Sequence, residues 1–108
     1  MKETLAEYIH LLRVKNGLTL TKLAASLDID QSTLSKIENQ KRSVPKEILP
    51  KLAAVFKLNI ETLEKEYYSE RIAEIIYKNS NTAELIKLAE EKAKYYRILR
   101  TKQGSLNL

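Results

Sequence analysis

The stretch that decides the fold is Thr19-Leu20-Thr21-Lys22-Leu23-Ala24-Ala25-Ser26-Leu27-Asp28-Ile29-Asp30-Gln31-Ser32-Thr33-Leu34-Ser35-Lys36-Ile37-Glu38. Its first half places Leu20, Leu23, Ala24 and Leu27 at the three- and four-residue steps of one helical face, with Thr19 suited to the N-cap. Asp28 breaks that pattern, and it tolerates left-handed backbone angles better than most residues. Asp30 is a second N-cap candidate. After it only Leu34 and Ile37 point inward, so Gln31, Ser32, Thr33, Ser35 and Lys36 are left on the surface of a short and unusually polar helix.

Helical periodicity extends in both directions. Upstream, Leu5, Tyr8, Ile9 and Leu12 mark a helix from about Thr4 to Lys15, closed by Asn16-Gly17. Downstream, the basic loop Asn39 to Ser43 leads to a fourth helix reaching about Leu58, with Ile48, Leu49, Leu52, Val55 and Phe56 inward and a distorted first turn at Pro50. Asn59 caps a fifth helix, in which Ile60, Leu63, Tyr67, Ile72, Ile75 and Ile76 are spaced for burial. Thr82 is expected to cap a sixth, from Ala83 to about Arg100, with Leu85, Ile86, Leu88, Ala89, Ala93, Tyr96 and Leu99 on its apolar face. No alternating apolar run or hairpin turn argues for a strand. The expectation is an all-α protein.

Composition fits one small helical protein: 108 residues, 44% hydrophobic and 31% charged, with two Gly, two Pro and no Cys. Without cysteine there is no disulfide, thiolate zinc site or thiol chemistry, and a lone His10 cannot assemble a histidine metal site. No cofactor is expected. The opening Met-Lys-Glu-Thr does not read as a secretion signal and no apolar run is long enough for a membrane span, so a cytoplasmic protein is expected. The net charge is +5. Residues 1–58 hold ten Lys/Arg against six Asp/Glu, while residues 59–108 hold nine against eight, so the positive field belongs to the N-terminal half. A basic half favours a polyanionic partner.

Two short helices joined by about three residues pack steeply and project the second outward, a geometry that fits a DNA major groove about 12 Å wide. The string Leu12-Arg13-x-x-x-Gly17-Leu18-Thr19, then Leu23-Ala24, Ile29, Leu34-Ser35-x-Ile37-Glu38-Asn39 and Arg42 resembles the phage repressor/Cro (XRE) type of helix-turn-helix regulator over residues 4–64. Two positions depart from that pattern: Leu20 stands where the family usually has a phosphate-holding Gln, and Asp28 where it usually has Gly.

The resemblance implies a lambda-repressor-like five-helix DNA-binding domain with an additional C-terminal helix. It places base reading on Gln31, Ser32 and Lys36, with Thr33 and Ser35 nearby. Chemistry agrees: Gln can bond adenine in two places, Lys can donate to guanine O6 and N7, and hydroxyls can serve bases or phosphates. Backbone phosphates fall to Thr19, Thr21, Asn39, Lys41 and Arg42. Arg13 and Glu38 occupy positions that the family joins as an ion bridge, and His10 reads as a surface residue.

The organisation expected is a DNA-binding domain over residues 1–66, a helical extension over 67–101 that serves dimerisation, and a loose tail over 102–108. Tyr67, Tyr68, Tyr95 and Tyr96 could stack on bases, but their spacing among Leu and Ile favours packing. Partners follow from this: double-stranded DNA carrying a palindromic operator, a second copy of the chain, and no membrane. Glu64, Glu66, Glu90 and Glu91 lie on helices crowded with Lys, without a nucleophile–base set or a phosphate-cradling glycine loop, so an enzyme is not expected. Within the regulator reading, a controller of a restriction–modification system and a phage-type repressor both fit. The alternative is an antitoxin that binds a toxin through its C-terminal helices while repressing its own operon.

Overall fold

The computed structural model describes residues 3–102. Among the described residues every regular element is helical. In order these are α1 (Leu5–Lys15), α2 (Leu20–Leu27), α3 (Gln31–Glu38), a 3-10 turn (Lys46–Ile48), α4 (Leu49–Phe56), α5 (Ile60–Lys78) and α6 (Thr82–Lys102). The chain divides into two compact units, Met1–Ala73 and Glu74–Leu108, with the division inside α5.

Among the described residues the core lies wholly in the first unit. Leu5, Ala6 and Ile9 of α1 meet Leu23, Ala24 and Leu27 of α2, and Leu34 and Ile37 of α3. Val44, Ile48, Leu49, Leu52, Leu63 and Tyr67 complete the cluster. Eight of these side chains are excluded from water almost entirely, Leu34 and Ile37 among them. At about 1.5–3 kcal/mol for each fully buried aliphatic side chain, this burial supplies the main force that folds the unit.

One device ends four successive helices. At Gly17 (φ 66), Asp28 (φ 60), Gln40 (φ 59) and Lys57 (φ 54) the backbone turns left-handed. In each case the next amide reaches back five residues: Leu18 to Arg13, Ile29 to Ala24, Lys41 to Lys36 and Leu58 to Ala53. This Schellman closure satisfies carbonyls that the helix leaves unpaired. After α1, α2 and α4 the residue that makes the bond is apolar and packs on the core as Leu18, Ile29 or Leu58. After α3 it is exposed Lys41, so the chain leaves that helix along the surface.

Helix starts follow local chemistry. Thr4 and Glu7 form a reciprocal capping box on α1, and Glu70 of α5 accepts the Leu5 amide proton at the same end. Thr19 Oγ1 accepts the Lys22 amide on α2, and Asn59 Oδ1 accepts the Thr62 amide on α5. Pro50 lies in the first turn of α4, directly after the 3-10 turn, the distortion that the sequence implies.

Several sequence expectations need correction. Asp30 holds the N-cap conformation of α3 but its carboxylate caps no backbone amide; Thr33 Oγ1 donates to it at 3.4 Å instead. Thr82 is the first residue of α6 and not its cap; the Asn81 carbonyl accepts the first amide, from Leu85. Val55 and Phe56 are half-buried, and Ile60, Ile72 and Ile75 are exposed. On α6 no described residue is buried: Leu85, Ala93 and Leu99 are half-buried, whereas Ile86, Leu88, Ala89 and Tyr96 are exposed. Tyr67 packs in the core as expected, but Tyr68, Tyr95 and Tyr96 stand half in water. Lys102 ends α6, and residues 103–108, assigned from sequence to a loose tail, lie outside the described residues.

Candidate nucleic-acid interface

Helix α3 is eight residues long and anchored from below by Leu34 and Ile37, both fully buried. Three residues, Asp28 to Asp30, join it to α2. With its apolar side fixed against α1 and α2, the opposite side must face water. Gln31, Ser32 and Lys36 are exposed there, and Thr33 and Ser35 are half-buried at its margins. The polar side chains therefore converge on a single outward face.

Hydrogen bonding separates these groups by what each has left to offer. Thr19 accepts the Lys22 amide at 3.1 Å, which leaves its hydroxyl proton free to donate. Thr21 Oγ1 instead donates to Gln31 Oε1 at 2.8 Å, linking α2 to α3 across the turn. Asn39 bonds back to the Ser35 carbonyl at 2.8 Å, closing the end of α3. Lys36, Lys41 and Arg42 are exposed on α3 and the loop that follows.

Beneath the face lies an ion pair. Arg13 of α1 sets Nε 2.7 Å from Glu38 Oε2 and Nη2 3.0 Å from Glu38 Oε1, a bidentate fork, while its Nη1 donates to the Leu18 carbonyl at 2.9 Å. The Glu38 side chain is only 4% exposed and that of Arg13 14%. Burial pushes the Glu38 carboxyl up, but hydrogen bonds from Arg13 and His10, together with the Arg13 charge, outweigh it and hold the group below the usual carboxylate range. The same bond raises Arg13. These contacts fix the C-terminal end of α3 to α1, so the outward face is held at both ends.

Sequence reasoning missed two members of this framework. His10, taken as a plain surface residue, is exposed yet places Nδ1 2.7 Å from Glu38 Oε1. The signal available was its spacing: His10 and Arg13 are three apart on α1 and so share a side. The second is Lys51, whose Nζ lies 3.5 Å from both the Leu27 carbonyl and the Asp28 carboxylate, a cation at the C-terminus of α2 where the helix dipole favours it. Its partner is 23 residues away in sequence, which periodicity cannot reveal.

Two closely packed short helices, the second with a buried spine and a polar outer face, form a helix-turn-helix. A family model described as helix-turn-helix matches residues 9–63, just over half of the chain. The chain belongs to the XRE type of helix-turn-helix regulators, and its fold is the all-α, lambda-repressor-like domain with a C-terminal helix. It is a DNA-binding transcriptional regulator; the family's domain is regulatory rather than catalytic. No curated protein and no solved structure matches the chain. No described helix is long and apolar enough to cross a membrane, and no group of metal-binding side chains occurs among the described residues.

Proposed function

We propose that this protein binds a palindromic operator as a homodimer, reading bases with Gln31, Ser32, Thr33, Ser35 and Lys36 and holding backbone phosphates with Thr19, Thr21, Asn39, Lys41 and Arg42. The observation that carries the reading is the polarity of α3: Leu34 and Ile37 are wholly buried while Gln31, Ser32 and Lys36 on the same helix are exposed. Donors and acceptors on one rigid helix face suit base edges in the major groove. The cations beside it suit phosphates, which supply affinity without sequence information.

In this reading residues 1–66 hold the DNA and residues 67–101 hold a second copy, setting two recognition helices on one DNA face about 34 Å apart. Ile75, Ile86, Leu88, Tyr95, Tyr96 and Ile98 are each at least 41% exposed, apolar surface that a partner would cover. A restriction–modification controller or a phage-type repressor fits this design. The same exposed residues support a second reading, an antitoxin whose C-terminal helices hold a toxin.

The test of operator reading is a gel-shift titration of Gln31→Ala and Lys36→Ala on the operator and on scrambled DNA. Each variant is expected to lose roughly 1–3 kcal/mol on the operator and little on scrambled DNA, with unchanged circular dichroism. Equal loss on both DNAs would restrict these residues to phosphate contact.

A further inference from the structure

We propose that α6 pairs antiparallel with α6 of a second copy, the acidic half of each helix lying against the basic half of the other. The proposal rests on the homodimer reading given above and goes beyond it by naming the element that meets itself and the direction in which it does so.

Charge divides this helix in two. Residues 82–91 hold Glu84, Glu90 and Glu91 against Lys87 alone, whereas residues 92–101 hold Lys92, Lys94, Arg97 and Arg100 and no acid. A helix dipole favours acids in the first turn and cations in the last, which accounts for Glu84 and Arg100. It does not account for Glu90, Glu91, Lys92 and Lys94, which lie in the middle of the 21-residue helix, beyond the dipole's reach of about one turn. Nor are these charges matched along the helix: among the described residues none of them enters an ion pair.

Two parallel copies would set Glu90 and Glu91 beside their own counterparts, and Lys94, Arg97 and Arg100 beside theirs. Antiparallel copies exchange these repulsions for attractions. Glu90 and Arg97 are seven residues apart and share a flank of the helix, so each lies near the other's counterpart on the second copy. Single exposed ion pairs contribute little, but direction depends on the difference between the two arrangements, and flanking charges set it in paired helices. Lys92 meets its own counterpart in either arrangement and does not discriminate.

Side-chain size selects the same direction. Leu85, Ala89, Tyr96 and Leu99 share one side of α6; Leu85 and Leu99 are half-buried, Ala89 is exposed and Tyr96 is 56% exposed. Turned antiparallel about a point between Lys92 and Ala93, two such stripes bring Tyr96 opposite Ala89, large against small. Parallel copies set Tyr96 against Tyr96 and leave a gap between two Ala89 side chains.

The experiment uses the full chain. It contains no cysteine, so Leu85→Cys and Leu99→Cys each introduce a single thiol, itself small and apolar. Sedimentation first establishes the dimer for wild type and both variants. Each variant alone, and the two mixed after subunit exchange, are then treated with a short bis-maleimide. The two positions lie about 21 Å apart along the helix, so antiparallel pairing is expected to link the mixture and neither variant alone. Links within a single variant, or no link in any sample of a dimeric protein, overturn the proposal and leave the homodimer reading standing. A second measurement needs no thiol. The variant Glu84→Lys, Glu90→Lys, Glu91→Lys, Lys94→Glu, Arg97→Glu and Arg100→Glu inverts the charge pattern; it should pair with itself as the wild type does, yet form mixed dimers with tagged wild type roughly tenfold less often than random exchange gives. Random mixing, or a preference for mixed dimers as parallel pairing requires, overturns the proposal. A full-length protein that sediments as a monomer removes the homodimer reading, and the pairing with it.

Discussion

Single side chains on the outer face of α3 and in the loop after it differ in what they can contribute, and the difference is measurable. Arg42 is exposed in the loop after α3, beyond the rigid helix, where a long cation suits a phosphate better than a base edge. Arg42→Ala should therefore weaken binding on every sequence and flatten the dependence of log affinity on log salt by about one unit, because one fewer counterion is released. Gel-shift titration over a range of salt concentrations checks this, and an altered base preference would contradict it. At this scale the exposure of charged side chains was legible in the sequence, as with Lys36 and Arg42. Less legible were the bonds of Thr21 and His10, whose hydroxyl proton and ring nitrogen depend on which neighbour folding brings within about 3 Å.

The ion pair belongs to the scale of elements, since it joins α1 to the end of α3. Arg13 keeps its bond to the Leu18 carbonyl when Glu38 is removed, whereas Glu38, 4% exposed, keeps only His10 when Arg13 is removed. Arg13→Ala should accordingly cost more than Glu38→Ala, roughly 3 kcal/mol against 2, since an incompletely compensated buried charge is the larger penalty. Thermal unfolding of both variants and the double variant should show non-additivity of about 1 kcal/mol or more; simple additivity would mean that the pair does not couple the helices. The pH dependence has a definite sign. Glu38 is depressed in the folded state, so its stabilisation is complete above the unfolded value of about 4.3 and fades as pH falls through the lower folded one. Glu70 acts oppositely: burial pushes its carboxyl up, only partly offset by the Leu5 amide, so its contribution is lost as pH rises through the folded value. Comparing wild type with Glu38→Gln between pH 5 and 2 isolates the first effect. The wild type should lose stability faster on acidification.

For the whole molecule, the decisive fact is where burial stops. Among the described residues every buried hydrophobic lies between Leu5 and Tyr67, while the second unit, beginning at Glu74, exposes Tyr77 at 88%, Ile98 at 59% and Tyr95 at 57%. Truncation after Asn81 leaves all of the described core in place. The fragment should fold, sediment as a monomer at micromolar concentration and bind the operator far more weakly than the full chain, which should sediment as a dimer. A monomeric full-length protein, or a truncated one that still dimerises, would move the interface elsewhere and favour the antitoxin reading of α6.

The sequence by itself determined the helices, their order and the family, because helical periodicity and caps are local: Leu23, Ala24 and Leu27 share a face whatever surrounds them, and Thr19 or Asn59 caps the helix that begins beside it. It also marked Gly17 and Asp28 as turning points, since few other residue types accept left-handed angles readily. Tertiary structure alone decided that Gln40 and Lys57 adopt the same angles. Neither residue type favours them, and the strain of about 1–2 kcal/mol each is tolerated because the next turn of chain must run on from a helix already fixed by its core. It decided too which apolar faces find a partner within the chain. Ile37 and Ile75 sit in equally helical patterns, yet one is wholly buried and the other is 53% exposed, because periodicity specifies which side of a helix is apolar and not what stands opposite it.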